Sequence, residues 1–383
     1  MKIGIVLYPT FGGSGVVATE LGLALAKQGN EVHFVTYRQP VRLDLLTENI
    51  YFHEVYVEEY PLFHYQPYEL ALSTKLVDIV ERYKLDLLHV HYAIPHAYAA
   101  FMAQKMLEER GTKIPFVTTL HGTDITLVGS HPSYKTAVEF SINNSDAVTT
   151  VSDSLRNDTL RLFTVRKEID VIYNFIDTDK YPATKDDECD RNSLALENER
   201  ILTHVSNFRP VKRVTDVVRI FNEVQKEIPS RLILVGDGPD REHADSLCKE
   251  FGIKDKVLFL GNSNEVNKIL CYSDLFLLPS ETESFGLAAL EAMAAKTPVI
   301  STNTGGLSEV NLDGVTGYLS DVGNIDEMAK NAISILKEDK ILQKFKQKAF
   351  EHSKIFTLEE ILPQYMDVYK RILVDSSKLK PIK

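Results

Sequence analysis

Two carboxylates eight positions apart, Glu283 and Glu291, flank the run Ser284-Phe285-Gly286-Leu287-Ala288-Ala289-Leu290. The apolar stretch Asp274-Leu275-Phe276-Leu277-Leu278-Pro279 before it reads as a buried strand that stops at the proline. The stretch after it, through Ala292, Met293, Ala294 and Ala295, is rich in strong helix formers. This pattern places Glu283 in the loop at a strand's carboxyl end and Glu291 on the second helical turn. Open α/β sheets bind ligands at that edge. The amides of Gly286, Leu287 and Ala288 at the helix start lack intrahelical partners and make an anion site. A diphosphate on those amides, with a carboxylate on either side, suits a nucleotide-sugar. The plainer alternative is an amphipathic helix carrying two solvated glutamates.

Other candidates follow strands in the same way. Gly12-Gly13-Ser14-Gly15 lies between the first strand and the first helix, where small residues let amides approach a phosphate. Its spacing is not the G-x-G-x-x-G of nicotinamide cofactor sites, which disfavours a dehydrogenase. His121-Gly122-Thr123-Asp124 follows Phe116-Val117-Thr118-Thr119 and could set an imidazole and a close backbone against a ligand. Asn207-Phe208-Arg209-Pro210-Val211-Lys212-Arg213 brings cations able to neutralise a leaving diphosphate. Val235-Gly236-Asp237-Gly238-Pro239 and Gly305-Gly306 are further strand-to-helix turns, either ligand platforms or simple turns. In His89-Val90-His91-Tyr92-Ala93-Ile94-Pro95-His96 the first two histidines share a strand face, but no neighbouring carboxylate or cysteine completes a metal site. Tyr92, at the strand's end, is the better ligand contact. No D-x-D pair sits at a strand end; Asp187 and Asp190 fall in a polar segment and read as solvated.

The elements that position these residues alternate strand with helix from end to end, which predicts parallel sheets covered on both faces. In the first half strands are expected near Ile3–Tyr8, Glu31–Thr36, Leu85–His91, Phe116–Thr119, Ala147–Val151 and Asp170–Tyr173. Helices are expected at Val16–Gln28, Tyr68–Tyr83 and Pro95–Arg110. The chain turns polar over Pro182–Glu199, and the domain junction is placed just before, near Asn174–Tyr181. The same grammar then restarts with strands at Ile201–Ser206, Arg231–Val235, Val257–Leu260, Leu275–Leu278, Pro298–Ser301 and Tyr318–Leu319. The expected fold is therefore α/β: two Rossmann-like, doubly wound domains, 1–175 and 176–357, facing a cleft. A final helix within 358–383 is expected to return to the first domain.

With 383 residues, 44% of them hydrophobic and 25% charged, the composition is that of a soluble globular protein. A net charge of −11 argues against a nucleic-acid partner. No apolar run approaches the roughly 20 residues of a membrane span, and the amino terminus opens directly into a strand, without a signal peptide. Cys189, Cys248 and Cys271 are too few and too scattered for a disulfide framework or a zinc knuckle. These features point to the cytoplasm. The basic tail Lys378–Lys383 reads as a solvated terminus.

In order and placement the motifs resemble the retaining glycosyltransferases of family 4, which have the metal-independent GT-B architecture. The resemblance covers nearly the whole chain, and the Glu283-x7-Glu291 pair is its most specific element. It is strongest to the branch that moves N-acetylglucosamine from UDP to the hydroxyl of L-malate, the opening step of bacillithiol biosynthesis. The segments carrying that likeness are His89–His96, Thr119–Thr126, Tyr173–Asp177 and Ser206–Arg213. The resemblance implies that Glu291 holds the uridine ribose and that Glu283 holds a donor-sugar hydroxyl. It further implies that Phe285, Gly286 and Leu287 with Gly13, Ser14 and Gly15 hold the diphosphate, that Gly238 lies beside the donor, and that Lys212 supplies charge. His121 is implied beside the anomeric carbon. Family members usually carry an arginine five residues before the lysine; here that residue is Asn207, and Arg209 is the candidate substitute. For a dianionic malate the candidate contacts are Ser14, Tyr92, Thr123, Lys135 and Arg156. No cofactor or metal is implied, nor any stable membrane association; a homo-oligomer is left open. Other acceptors (an inositol phosphate, a lipid or a glycan), a UDP-N-acetylglucosamine 2-epimerase and a sugar-binding protein without turnover are the competing readings.

Overall fold

The computed structural model describes residues 1–10, 12–58, 64–181, 194–196, 198–263 and 265–378, without the side chains of 179 and 376–378. Asp187, Cys189 and Asp190 of the polar segment lie outside the described residues, as does the tail beyond 378. The chain divides into two compact units, Met1–Phe175 with Leu358–Lys383, and Ile176–Thr357.

In the first unit seven parallel strands form one sheet: β1 Lys2–Val6, β2 Glu31–Thr36, β3 Ile50–Glu54, β4 Leu87–His91, β5 Phe116–Leu120, β6 Ala147–Thr150 and β7 Asp170–Val171. Their order is β3-β2-β1-β4-β5-β6-β7. The chain order reverses between β1 and β4, which opens a crevice at their carboxyl ends. Every residue of β4, β5 and β6 is buried, as parallel strands covered on both faces require. The final helix Leu358–Lys378 packs in this unit through Ile361, Leu362, Tyr365, Val368, Tyr369 and Ile372, an i, i+4, i+7 stripe. On that stripe Tyr369 Oη lies 2.7 Å from His89 Nδ1.

The second unit repeats the plan with β8 Arg200–Val205, β9 Ser230–Val235, β10 Val257–Gly261, β11 Leu275–Leu278, β12 Val299–Thr302 and β13 Gly317–Ser320. The order β10-β9-β8-β11-β12-β13 puts the switch point between β8 and β11. Helix Val214–Glu227 covers one face because Val214, Val217, Val218, Phe221 and Val224 recur at helical spacing. They join Leu232, Leu234, Leu275 and Leu277 in one apolar core. Truncating the fully buried Phe221 to alanine would cost about 3–5 kcal/mol.

Two differences from the sequence reading stand out. Strand β3 was not anticipated: it is an edge strand with only Ile50 buried, so it lacks a strand's apolar signal. The first helix begins at Gly13 rather than Val16, so the glycine loop is itself the first turn. Cys248 is a buried free thiol.

Candidate active site

Each switch point carries a cluster of the expected residues. In the first unit the turn after β1 leads from Gly12 into helix Gly13–Lys27, whose amides at Gly13 and Ser14 have no backbone acceptor among the described residues. Gly15 is pressed so close to the chain that a Cβ there would lie 2.6 Å from the Tyr8 carbonyl oxygen. Ser14 Oγ is 2.5 Å from the Tyr92 hydroxyl, which ties the ends of β1 and β4 together. Tyr92 is held at φ 84°, ψ 137°, a conformation that costs an ordinary side chain about 1–3 kcal/mol. Its ring lies edge-on to Tyr8 at 5.2 Å and beside His121 at 5.0 Å.

The ends of β4 and β5 are joined by two further devices. Asp124, 2% exposed, accepts the amides of Ala93 at 2.8 Å, Gly122 at 3.0 Å and His121 at 3.2 Å. Burial pushes its carboxyl up to about 6, and those three amides oppose the shift. His91 Nδ1 lies 2.8 Å from His121 Nε2. Beneath them His89 bridges Thr119 and Tyr369, each at 2.7 Å, and His96 Nδ1 donates to the His91 carbonyl at 2.5 Å. Burial drives His89 and His121 down to about 3, His96 to about 4, and His91 well below the usual imidazole range. All four are therefore neutral near pH 7. Among the described residues no group of three or more His, Cys, Asp or Glu is arranged to hold a metal ion.

Thr123 is exposed just past Gly122, in the turn Thr123–Leu127. The helix Asp153–Leu162, which packs on that turn, carries Arg156 in an ion pair with Asp153 at 2.6 Å. Lys135 is exposed on the first turn of helix Pro132–Asn144. No hydrogen bond connects either cation to Ser14, Tyr92 or His121 among the described residues.

In the second unit four loops converge at the strand ends. The loop after β8 carries Asn207, Arg209 and Lys212; the first two are exposed, and Arg209 makes no ion pair among the described residues. The Glu281 amide donates to the Val211 carbonyl at 2.8 Å and so ties this loop to the one after β11. Lys212 Nζ pairs with Glu283 Oε1, which also accepts from Ser280 Oγ at 3.0 Å. Both contacts fall on one oxygen, and Oε2 has no protein partner among the described residues. Gly305, at φ +56°, abuts this loop: a Cβ there would sit 1.9 Å from the Glu283 carbonyl oxygen. Gly238 stands against the Asn207 loop, where a Cβ would fall 2.0 Å from the Asn207 oxygen. Glycine is required at both because backbones touch.

Beyond Glu283, Gly286 at φ 96° caps the helix Leu287–Ala294. Phe285 is a packing residue, 2% exposed and edge-on to Phe356 at 5.6 Å, so only its backbone is placed to meet a ligand. Glu291 is half-buried on the second turn of this helix. Sequence reasoning gave no role to Asp124, Ser280 or His91's bond to His121, since each depends on which strand ends become neighbours.

Comparison with known proteins agrees with this geometry. Residues 11–180 match Glycosyltransferase Family 4, and residues 186–352 match Glycosyl transferases group 1. The chain is 47% identical over 381 residues to N-acetyl-alpha-D-glucosaminyl L-malate synthase of Bacillus anthracis, covering 99% of each sequence. Among solved structures it is similar to sucrose-phosphate synthase from Thermosynechococcus elongatus, at TM-score 0.80 and 20% identity over 98% of this chain and 99% of that one. It is likewise similar to Anabaena Alr3699/HepE in complex with UDP-glucose, at TM-score 0.80 and 21% identity over 97% of this chain and 100% of that one. Two Rossmann-ordered sheets, the loops at their switch points and this pattern of relatedness make the chain a member of glycosyltransferase family 4.

Proposed function

We propose that this chain transfers N-acetylglucosamine from UDP-N-acetylglucosamine to the hydroxyl of L-malate, keeping the α configuration and using no metal. The step would open bacillithiol biosynthesis. The observation that carries this reading is the 47% identity to the Bacillus anthracis protein across 99% of both sequences. On this reading Glu291 accepts from the uridine ribose, and the open Oε2 of Glu283 accepts from a sugar hydroxyl. The amides of Phe285, Gly286 and Leu287, with those of Gly13 and Ser14, receive the diphosphate; the Gly15 amide, expected there too, instead donates to the Gly12 carbonyl at 3.0 Å. Each helix start adds a partial charge of about +0.5. Lys212 supplies a full charge and exposed Arg209 a second, in place of the arginine replaced by Asn207. Ser14, Tyr92 and Thr123 donate to malate, with Lys135 and Arg156 as the cations for its carboxylates.

The reaction breaks the bond between the anomeric carbon and the β-phosphate oxygen, and negative charge collects on that oxygen. Fixed amides and Lys212 stabilise the charge because they need no reorganisation as it develops. The malate hydroxyl oxygen attacks the same face of the anomeric carbon, and its proton passes to the departing phosphate oxygen. No protein base is needed, so Glu283 acts as a hydrogen-bond partner and not as a nucleophile.

The test is UDP release from UDP-N-acetylglucosamine with and without acceptor. Release should rise strongly with L-malate and stay at background with inositol phosphate. Release indifferent to malate, or formation of UDP-N-acetylmannosamine, would end this reading.

A further inference from the structure

His121 meets the site through one ring nitrogen, and a residue behind it decides what that nitrogen offers. His91 stands on β4 with its partner in register, Thr119, on β5. It is fully buried, and its Nδ1 lies 2.8 Å from His121 Nε2 with the rings near-parallel at 5.1 Å and 25°. Its other nitrogen, Nε2, is buried without a hydrogen-bond partner. Two neutral imidazoles share one proton along the Nδ1···Nε2 contact, so only two arrangements exist. If His121 donates from Nε2, the His91 proton must sit on Nε2, as a buried N–H with no acceptor. An unpaired buried donor or acceptor costs about 1–3 kcal/mol, but orphaned buried N–H groups are rarer in native interiors than orphaned acceptors. If His91 donates from Nδ1, its buried Nε2 is a bare lone pair and His121 carries its own proton on Nδ1.

We propose that His91 is a positioning residue that locks His121 in the Nδ1–H tautomer, giving the site a fixed hydrogen-bond donor and no base at that position. His121 Nδ1 has no protein acceptor among the described residues, and it is not among the buried unpaired atoms, so it is open to a ligand oxygen. The lock has a consequence for specificity. A donor at this place donates to a hydroxyl, ether or anionic oxygen of the bound sugar or acceptor, and it disfavours an ammonium or amide N–H. It also bars His121 from taking the acceptor's proton, because Nε2 is occupied and Nδ1 is already protonated. The mechanistic consequence rests on the reading above, in which His121 stands at the anomeric centre; the tautomer itself does not.

The experiment is nitrogen NMR on protein labelled with 15N-histidine, without substrate at neutral pH, the His121 signals being identified by their loss in His121→Gln. His121 should show a protonated Nδ1 and a bare Nε2. His91→Asn carries an N–H at the position of Nδ1 and should keep both the tautomer and most of the turnover. His91→Leu should let His121 populate the Nε2–H form and lower kcat by about tenfold, the effect of one lost hydrogen bond. An Nε2–H tautomer in the wild-type protein overturns the proposal, as does an unchanged His121 in His91→Leu or equal damage from the two variants. Should His91→Leu not fold, the wild-type spectrum decides alone. Because that spectrum needs no substrate, a protein inactive toward malate that still shows the Nδ1–H form refutes the functional reading and supports the lock.

Discussion

Acidification should unfold the first unit before the second, because the first buries a stack of neutral imidazoles. His89 and His121 are held near 3 and His96 near 4 by burial, against 6.5 for an unhindered imidazole. The folded values are depressed, so the unfolded chain takes up protons first as pH drops. The stability these groups contribute is complete above about pH 6.5 and is lost as pH falls below it. At about pH 5 each of the three favours the unfolded state by about 2 kcal/mol relative to pH 8, or about 6 kcal/mol together. Asp124 works in the opposite sense: its folded value of about 6 lies above 3.8, so the native state gains a proton first. At about pH 5 this returns about 1 kcal/mol, leaving a net loss of about 5 kcal/mol in a domain whose total stability is of order 5–15 kcal/mol. His53, pushed down to about 4, adds in the direction of loss. In the second unit His204 is the imidazole driven to about 4, for a loss of about 2 kcal/mol. Hydrogen–deuterium exchange of β4 and β5 against β8 and β11, corrected for intrinsic rates, reads the two units separately. Equal losses in both sheets, or undiminished protection of β4 and β5 near pH 5, would refute the reasoning.

Three further outcomes are expected. Glu291→Ala should weaken UDP binding in a calorimetric titration, and Glu283→Ala should mainly reduce kcat, each by roughly 10- to 100-fold for a hydrogen bond to a charged group; equal and small effects would remove the paired-carboxylate argument. Gly305→Ala forces a Cβ onto the Glu283 carbonyl at a positive φ and should lower both kcat and the melting temperature, whereas wild-type turnover and stability would show that this contact does not place Glu283. EDTA should leave transfer unchanged, and a loss restored by magnesium would mean that an ion takes part.

Much of this was legible before any coordinates. The alternation of apolar strands with helical patterns led to two parallel sheets because strands buried on both faces leave continuous runs such as Leu275–Leu278. The site loops were legible for a related reason. Glycines and chemically able side chains fell directly after strands, where an open sheet exposes its ligand edge. What escaped depends on neighbours distant in sequence. Asp124 fastens the turns after β4 and β5 together, but nothing local says that Ala93 will lie against it. His91 reads only as one of two histidines sharing a strand face until the register of β4 on β5 sets it beside His121. Edge strand β3 escaped because an edge residue buries too little surface to leave a pattern.

The most direct measurement is the product itself. UDP-N-acetylglucosamine and L-malate should be incubated with the chain, and the product examined by mass spectrometry and by the proton coupling at its anomeric carbon. The account predicts one N-acetylglucosaminyl malate per UDP released, linked in the α configuration. A β-linked product, or UDP release with malate left unmodified, would contradict it.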